Sequence, residues 1–352
     1  MKFPHFPRLW LLAALLAALG MALLAPFMNP YHVAVIETAG VSIILAVSLN
    51  LVLGHTGQFS LGHAGFMGVG AFAAAAATNL LAARAGLQSG LESLHLAPWL
   101  AKQVLVAPAL LAGGLVAALL GLLVGIPSLR LKGDYLAIVT LGFGEILAGE
   151  LQYGQNTINK SEALREQLPW VGASSVEVPE RAMLFWTLAL VAITLYVCQS
   201  LVKSSFGLGL LAVRDNEVAA ESCGISATRA KITAFTIGAF FAGLAGGLFA
   251  HFNGAVSPGG FRFDRSMEVV LIVILGGLGR NHAVVAAAIG VTLLSEGLRQ
   301  TPKLFPTASG PLLEILQNRA FLFALLLVIL MIVRPQGLFS GWRKPKLLGG
   351  SK

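Results

Sequence analysis

The chain has 352 residues, 56% of them hydrophobic and 11% charged, with a formal net charge of +8. Soluble domains carry about 25% charged residues, so this composition excludes a soluble globular protein and points to a lipid bilayer, whose ~30 Å hydrocarbon layer is crossed by apolar runs of about 20 residues. The positive charge gathers at segment ends and tails, as cationic anchors beside lipid headgroups do, and it lacks the aromatic-interleaved basic face of a nucleic-acid binder.

In chain order, Lys2 and Arg8 precede an apolar run over 9–27. That run exceeds the roughly 7–15 residues of a signal-peptide core, and no small-residue cleavage motif sits at the right place. A retained first membrane helix is the better reading. Ten candidate spans follow the hydropathy: 9–28, 33–53, 62–83, 104–124, 135–153, 182–201, 232–253, 267–279, 283–298 and 312–333. The eighth and ninth are short and fit half-helices meeting at a break, which lipid tolerates only where protein or a water-filled cavity covers the freed backbone. The expected fold is an all-α polytopic membrane protein of 8–10 transmembrane helices, a single membrane domain over 1–352. Lysines and arginines fall in modest excess on one side, among them Arg130, Lys132, Lys203, Arg214, Arg229, Lys231 and Arg280. The positive-inside rule then puts both termini and the 203–231 loop in the cytoplasm, with a polar loop at 154–181 outside. The two cysteines, Cys198 and Cys223, lie in an apolar run and in the 203–231 loop, and suggest neither a disulfide framework nor a metal site.

The 203–231 loop is the most informative stretch. Asp215 is a suitable N-cap, and Gly224 suits the left-handed position that ends a helix. A helix over 216–223 would be about 12 Å long at 1.5 Å per residue. Glu217 would lie in its first turn, where the helix dipole favours negative charge. Ala219, Ala220 and Cys223 would give a small, smooth face. Two readings fit equally: a rigid element that docks a soluble partner, or an ordinary surface helix between two spans.

Ionisable residues inside spans are costly and therefore functional candidates. Glu145, after two glycines, either pairs with a base on another helix or meets an ammonium group in transit, and the structural pairing is the safer of the two. Glu37, Glu150, Glu268 and Glu296 lie nearer segment ends, within reach of headgroups or water. Asn50, Gln58, Ser60 and His63 flank a glycine turn and form either a gate or pathway lining or a satisfied turn. His55 and His63 lack the nearby acids or cysteines of a metal site. His251 reads as buried and hydrogen-bonded. Gly238, Ala242 and Gly246, with Ala239, Gly243 and Gly247 beside them, recur at the four-residue spacing of close helix packing. The runs LVLGHTG (51–57) and VILGGLG (273–279) echo one another, but one short echo of apolar residues and glycines is better read as chance. No P-loop occurs, nor a nucleophile triad or zinc motif.

Four stretches carry a family likeness: SLNLVLGHTGQFSLGHAGF (48–66), LRLKGDYLAIVTLGFGE (129–145), the loop 214–224, and FRFDRSMEVVLIVILGGLG (261–279), with RPQGLF (334–339) after them. On these the chain resembles the LivM-type permease subunits of branched-chain amino acid ABC importers. The resemblance implies half of a translocation pore in a bacterial inner membrane, with no ATPase site and no cofactor of its own. It implies as partners a second related permease, two cytoplasmic ABC ATPase subunits, a periplasmic solute-binding protein and membrane lipid. It makes Asp215, Glu217, Ala220 and Gly224 the ATPase-coupling residues, and leaves Asn50, Gln58, Ser60, His63 and Glu145 as candidate pathway residues. Related permeases serve urea, other amides or other amino acids. An ion-coupled secondary transporter is the rival from another class.

Overall fold

Inside a bilayer no water satisfies the backbone, so long apolar runs close their own hydrogen bonds as helices. The computed structural model describes residues 8–84, 98–129, 131, 133–160, 180–254 and 256–304, with isolated helical positions at 325, 328, 329 and 332. The cationic start of the chain, the Arg130 and Lys132 turn, most of the 154–181 loop, most of the expected tenth span and the basic C-terminal tail lie outside the described residues.

The described elements are helices, and no strand occurs among them. They are α1 (Arg8–Leu24), α2 (Pro30–Asn50), α3 (His63–Arg84), α4 (Pro98–Ser128), α5 (Asp134–Lys160), α6 (Glu180–Lys203), α7 (Ser205–Asp215), α8 (Glu217–Ser222), α9 (Ala227–Asn253), α10 (Phe263–Gly276) and α11 (Asn281–Leu304). A one-turn π-helix, Leu51–His55, extends α2. Seven of these, α1, α2 with its π turn, α3, α4, α6, α9 and α11, are long and apolar enough to cross a membrane. The 14-residue α10 is short, as expected. The ninth span is not: α11 runs for 24 residues. Ser295, Glu296, Arg299 and Gln300 lower the hydropathy there without ending the helix, so an apolar count stops too soon.

The centre is a slab of three mutually packed helices, α3, α4 and α9, with α2 behind it. Glycines set the spacing. A Cβ on Gly246 would collide with the Met67 carbonyl of α3, and one on Gly70 with the backbone of Gly243. A Cβ on Gly113 would come within 2.6 Å of the Gly70 carbonyl oxygen, and one on Gly121 within 2.5 Å of the Ala239 Cβ. The small-residue stripe therefore packs backbone against backbone, the arrangement that drives helix association in lipid. His251 joins the slab by polar contacts, with Nε2 2.6 Å from Thr78 Oγ1 and Nδ1 donating to the Gly247 carbonyl at 2.7 Å. Around the slab, α6 and α11 cover α2, and α10 packs on α11. The first helix, α1, lies outermost, against α6.

That arrangement corrects the reading of one segment-end glutamate. Glu37 is 1% exposed, because α6 and α11 cover the half of α2 that carries it. Glu268 is half-buried against Arg265 at 2.6 Å. Glu296 accepts from the Tyr31 hydroxyl at 2.7 Å and pairs with Arg299 at 2.8 Å. Glu268 and Glu296 both line an open cavity, and Glu150 is exposed, so these three keep the expected access to water.

Replacing Gly246 by valine overpacks the α3–α9 crossing and should cost about 1–3 kcal/mol. In detergent the variant should melt well below the wild type, whereas Gly290→Ala, with nothing within 4 Å of the added carbon, should not. A Gly246→Val protein with unchanged melting refutes the backbone-contact account.

Candidate functional site

The 203–231 loop holds two short helices rather than one. Ser204 opens α7 by accepting from the Gly207 amide at 3.2 Å. The face of α7 that carries Leu210 and Val213 is buried in the bundle. This helix was missed because its eleven residues fall inside a stretch read as polar loop. Since α7 continues through Asp215, that residue cannot cap α8. The cap is Asn216, whose extended backbone (φ −158°, ψ 111°) both ends α7 and starts α8. Its amide donates to the Ala212 carbonyl at 3.0 Å, and its Oδ1 accepts from the Ala219 amide at 3.1 Å. Asp215 instead receives two hydrogen bonds from the Arg214 guanidinium, at 3.0 and 3.1 Å.

The far end of α8 closes as expected at Gly224, with φ at +82°. Gly224 donates to the Glu221 carbonyl at 2.9 Å, and Ile225 reaches back to the Ala220 carbonyl at 3.0 Å. These two bonds form a Schellman motif. Glu217 stands in the first turn and pairs with Lys231 of α9 at 2.9 Å. Ala220 does not belong to an outward face: it is 4% exposed and anchors α8 to the bundle. The face turned outward carries Val218, Ala219, Glu221 and Ser222. The periodicity of a six-residue helix is too short to reveal from sequence which side is covered.

Next to this loop two helix breaks meet. The π turn after α2 leads into a turn at Gly57 (φ +71°), and α10 gives way to α11 through Gly277 (φ +99°) and Gly279 (φ +78°). These are the two echoing sequence runs, and they lie against each other: a Cβ on Gly54 would collide with Gly279. Asn50 is fully buried between them. Its Oδ1 accepts from the Gly279 amide at 2.9 Å and its Nδ2 donates to Asn281 Oδ1 at 2.7 Å. Arg214 Nη1 donates to the Gly54 carbonyl at 3.0 Å. Neither Arg214 nor Asn281 was singled out from sequence. For Asn281 the available signal was a polar amide two residues after Gly279, between two apolar runs, a costly placement inside lipid.

The other candidates divide into two groups. His63 Nε2 lies 2.8 Å from Ser48 Oγ, both buried. Gln58 and Ser60 are also buried, and their side-chain polar atoms find no hydrogen-bond partner among the described residues. Asn50, Gln58, Ser60 and His63 thus share the neighbourhood of the first break. Glu145 stands apart from it. Its Oε1 accepts from the Phe263 amide at 2.8 Å and its Oε2 lies 3.5 Å from Arg262 Nε. It therefore caps the start of α10 from α5, satisfying an amide that the helix cannot satisfy itself.

At the opposite end of the bundle from the 203–231 loop is a cavity of about 540 Å³, which sequence reading did not find. Both charge signs line it, through Arg262, Arg265, Glu268, Glu296 and Arg299, with Tyr31 and Thr38 beside them.

The profile of one family, described as "Branched-chain amino acid transport system / permease component", matches residues 31–333. The chain is 38% identical over 249 residues to the high-affinity branched-chain amino acid transport system permease protein LivM of Salmonella typhimurium, a match covering 64% of this chain and 55% of the relative. The LivM protein of Escherichia coli matches to the same extent. A probable branched-chain amino acid transport permease, LivM of Methanocaldococcus jannaschii, is 26% identical over 237 residues, 64% of this chain and 66% of that protein. The match thus spans about half the length of the two bacterial relatives. No solved structure matches the chain.

Loss of the Asn216 cap should cost about 1 kcal/mol. Asn216→Ala should speed hydrogen exchange at the Ala219 amide by roughly five-fold, while Asp215→Ala leaves it unchanged. The reverse order would return the cap to Asp215.

Proposed function

We propose a function from one premise: the chain belongs to the family of branched-chain amino acid transport permeases. It is one permease subunit of an ATP-driven importer for branched-chain or other hydrophobic amino acids in a bacterial inner membrane. It forms half of a translocation pore with a second, related permease. Two cytoplasmic ABC ATPases engage α8 and its counterpart, and a periplasmic solute-binding protein delivers solute at the far end. Both termini and the 203–231 loop then face the cytoplasm, and hydrolysis belongs to the ATPases.

The observation that carries this reading is the build of α8. It is capped by Asn216 at one end and a Schellman turn at the other, pinned by Ala220 beneath, and exposed along one face. An element so held transmits displacement, whereas a slack loop would absorb it. The far cavity, with both charge signs, has the chemistry to receive the ammonium and carboxylate of a free amino acid. Transport is alternating access, driven by a ligand's different affinity for two pore states. The ion-coupled alternative needs Glu145 as a proton or sodium site, and its carboxylate is already engaged by the Phe263 amide and Arg262.

Glu217→Lys should abolish uptake while the permease remains inserted in the membrane; uptake at the wild-type level would refute a coupling role for this residue. The Glu217–Lys231 pair supplies a control. If the double exchange Glu217→Lys with Lys231→Glu restores uptake, the pair serves only to hold α8 in place. Continued loss means the partner reads Glu217 itself. Gly224→Val should weaken co-purification of the ATPases, because β-branched residues avoid positive φ; unchanged co-purification and uptake would refute that.

A further inference from the structure

Resting on the importer reading above, we infer that Arg214 is a positioning residue that latches the coupling helix to the two helix breaks, so that movement of α8 is delivered to both broken helices at once. One hydrogen bond and two close approaches make the latch. Arg214 Nη1 donates to the Gly54 carbonyl at 3.0 Å, on the π turn that ends the first broken helix. The same nitrogen would lie 3.5 Å from a carbon placed on Gly279, in the second break. The arginine stem covers Gly57: a Cβ there would come within 3.0 Å of Arg214 Cγ. The guanidinium is aimed by Asp215, which accepts from Nε and Nη2 at 3.1 and 3.0 Å and leaves Nη1 for the carbonyl.

The breaks are joined to each other independently of Arg214. Asn50 spans both, through the Gly279 amide and Asn281. Three chain segments therefore meet in one hydrogen-bonded node: the end of α2, the α10–α11 turn and the end of α7. From α7 to α8 there is a single connecting residue, Asn216. The positive-φ glycines Gly57, Gly277 and Gly279 are the positions where backbone rotation is cheapest. Hinges of this kind absorb large backbone changes at a few residues. The pull of the coupling helix thus arrives where both spans are already interrupted.

The test uses the complete importer in proteoliposomes, with ATP hydrolysis and solute uptake measured in the same vesicles. Arg214→Gln should leave assembly and ATP hydrolysis largely intact while solute moved per ATP falls about ten-fold. Arg214→Lys, which keeps a donor for the carbonyl but loses the fork onto Asp215, should recover part of that ratio. Asn281→Ala should lower it too, and the double variant should be no worse than the poorer single, as expected for one unit. An unchanged ratio in Arg214→Gln, or a double variant that multiplies the two losses, overturns the latch. If Arg214→Gln does not assemble, Arg214→Lys is read in its place: solute moved per ATP should fall below the wild-type value, and an unchanged ratio overturns the proposal. Wild-type vesicles that transport without ATP overturn the importer reading itself, and the latch with it.

Discussion

A helix that breaks within a bilayer frees carbonyls and amides that no solvent can satisfy. This chain breaks two of its helices side by side and satisfies freed groups with side chains from the first break and from α7. The Gly279 amide is taken by Asn50 and the Gly54 carbonyl by Arg214. Most of what distinguishes the loop end of the molecule depends on those bonds. Asn50 is buried because the breaks close over it, α11 begins at Asn281 because that amide is held, and α7 ends where Arg214 can reach a carbonyl. Glu145 does the same work for α10, accepting the Phe263 amide from a neighbouring helix.

The glycine-spaced slab of α3, α4 and α9 supplies the opposite property. Where backbones touch, no side chain remains to change rotamer, and the crossing has little freedom to adjust. The broken pair, by contrast, is joined through single side chains. The side-chain polar atoms of Gln58 and Ser60, beside the first break, are buried without a hydrogen-bond partner among the described residues. Buried polar groups without partners are costly.

Much of this was legible in the sequence. Composition and the spacing of apolar runs gave the all-α polytopic fold, and the four-residue repeat of small residues gave close packing along α9, though not its partner helices. Gly224 could be read as a helix stop because only a residue without a Cβ sits easily at positive φ. The failures have physical causes. Asp215 and Asn216 are both good caps, and only the hidden continuation of α7 decides between them. Ala220 is as small as Ala219, and burial alone separates their roles. The ninth span looked short because hydropathy reports solvent preference, whereas helix continuity depends on the backbone. The meeting of the runs at 51–57 and 273–279 could not be seen at all, since about two hundred residues separate them and their likeness is too short to weigh.

The single residue between α7 and α8 has one more consequence. A joint of one residue with a fixed extended backbone (φ −158°, ψ 111°) also fixes the rotational phase of the helices on either side. The exposed face of α8, with Val218 and Glu221, is indexed to the buried face of α7 with Leu210 and Val213. One residue added or removed at Asn216 would turn Ala220 out and another side chain in, presenting a different surface with the composition almost unchanged. The joint therefore works as a key cut to one angle, and evolution of this loop is freer to exchange its side chains than to alter its length.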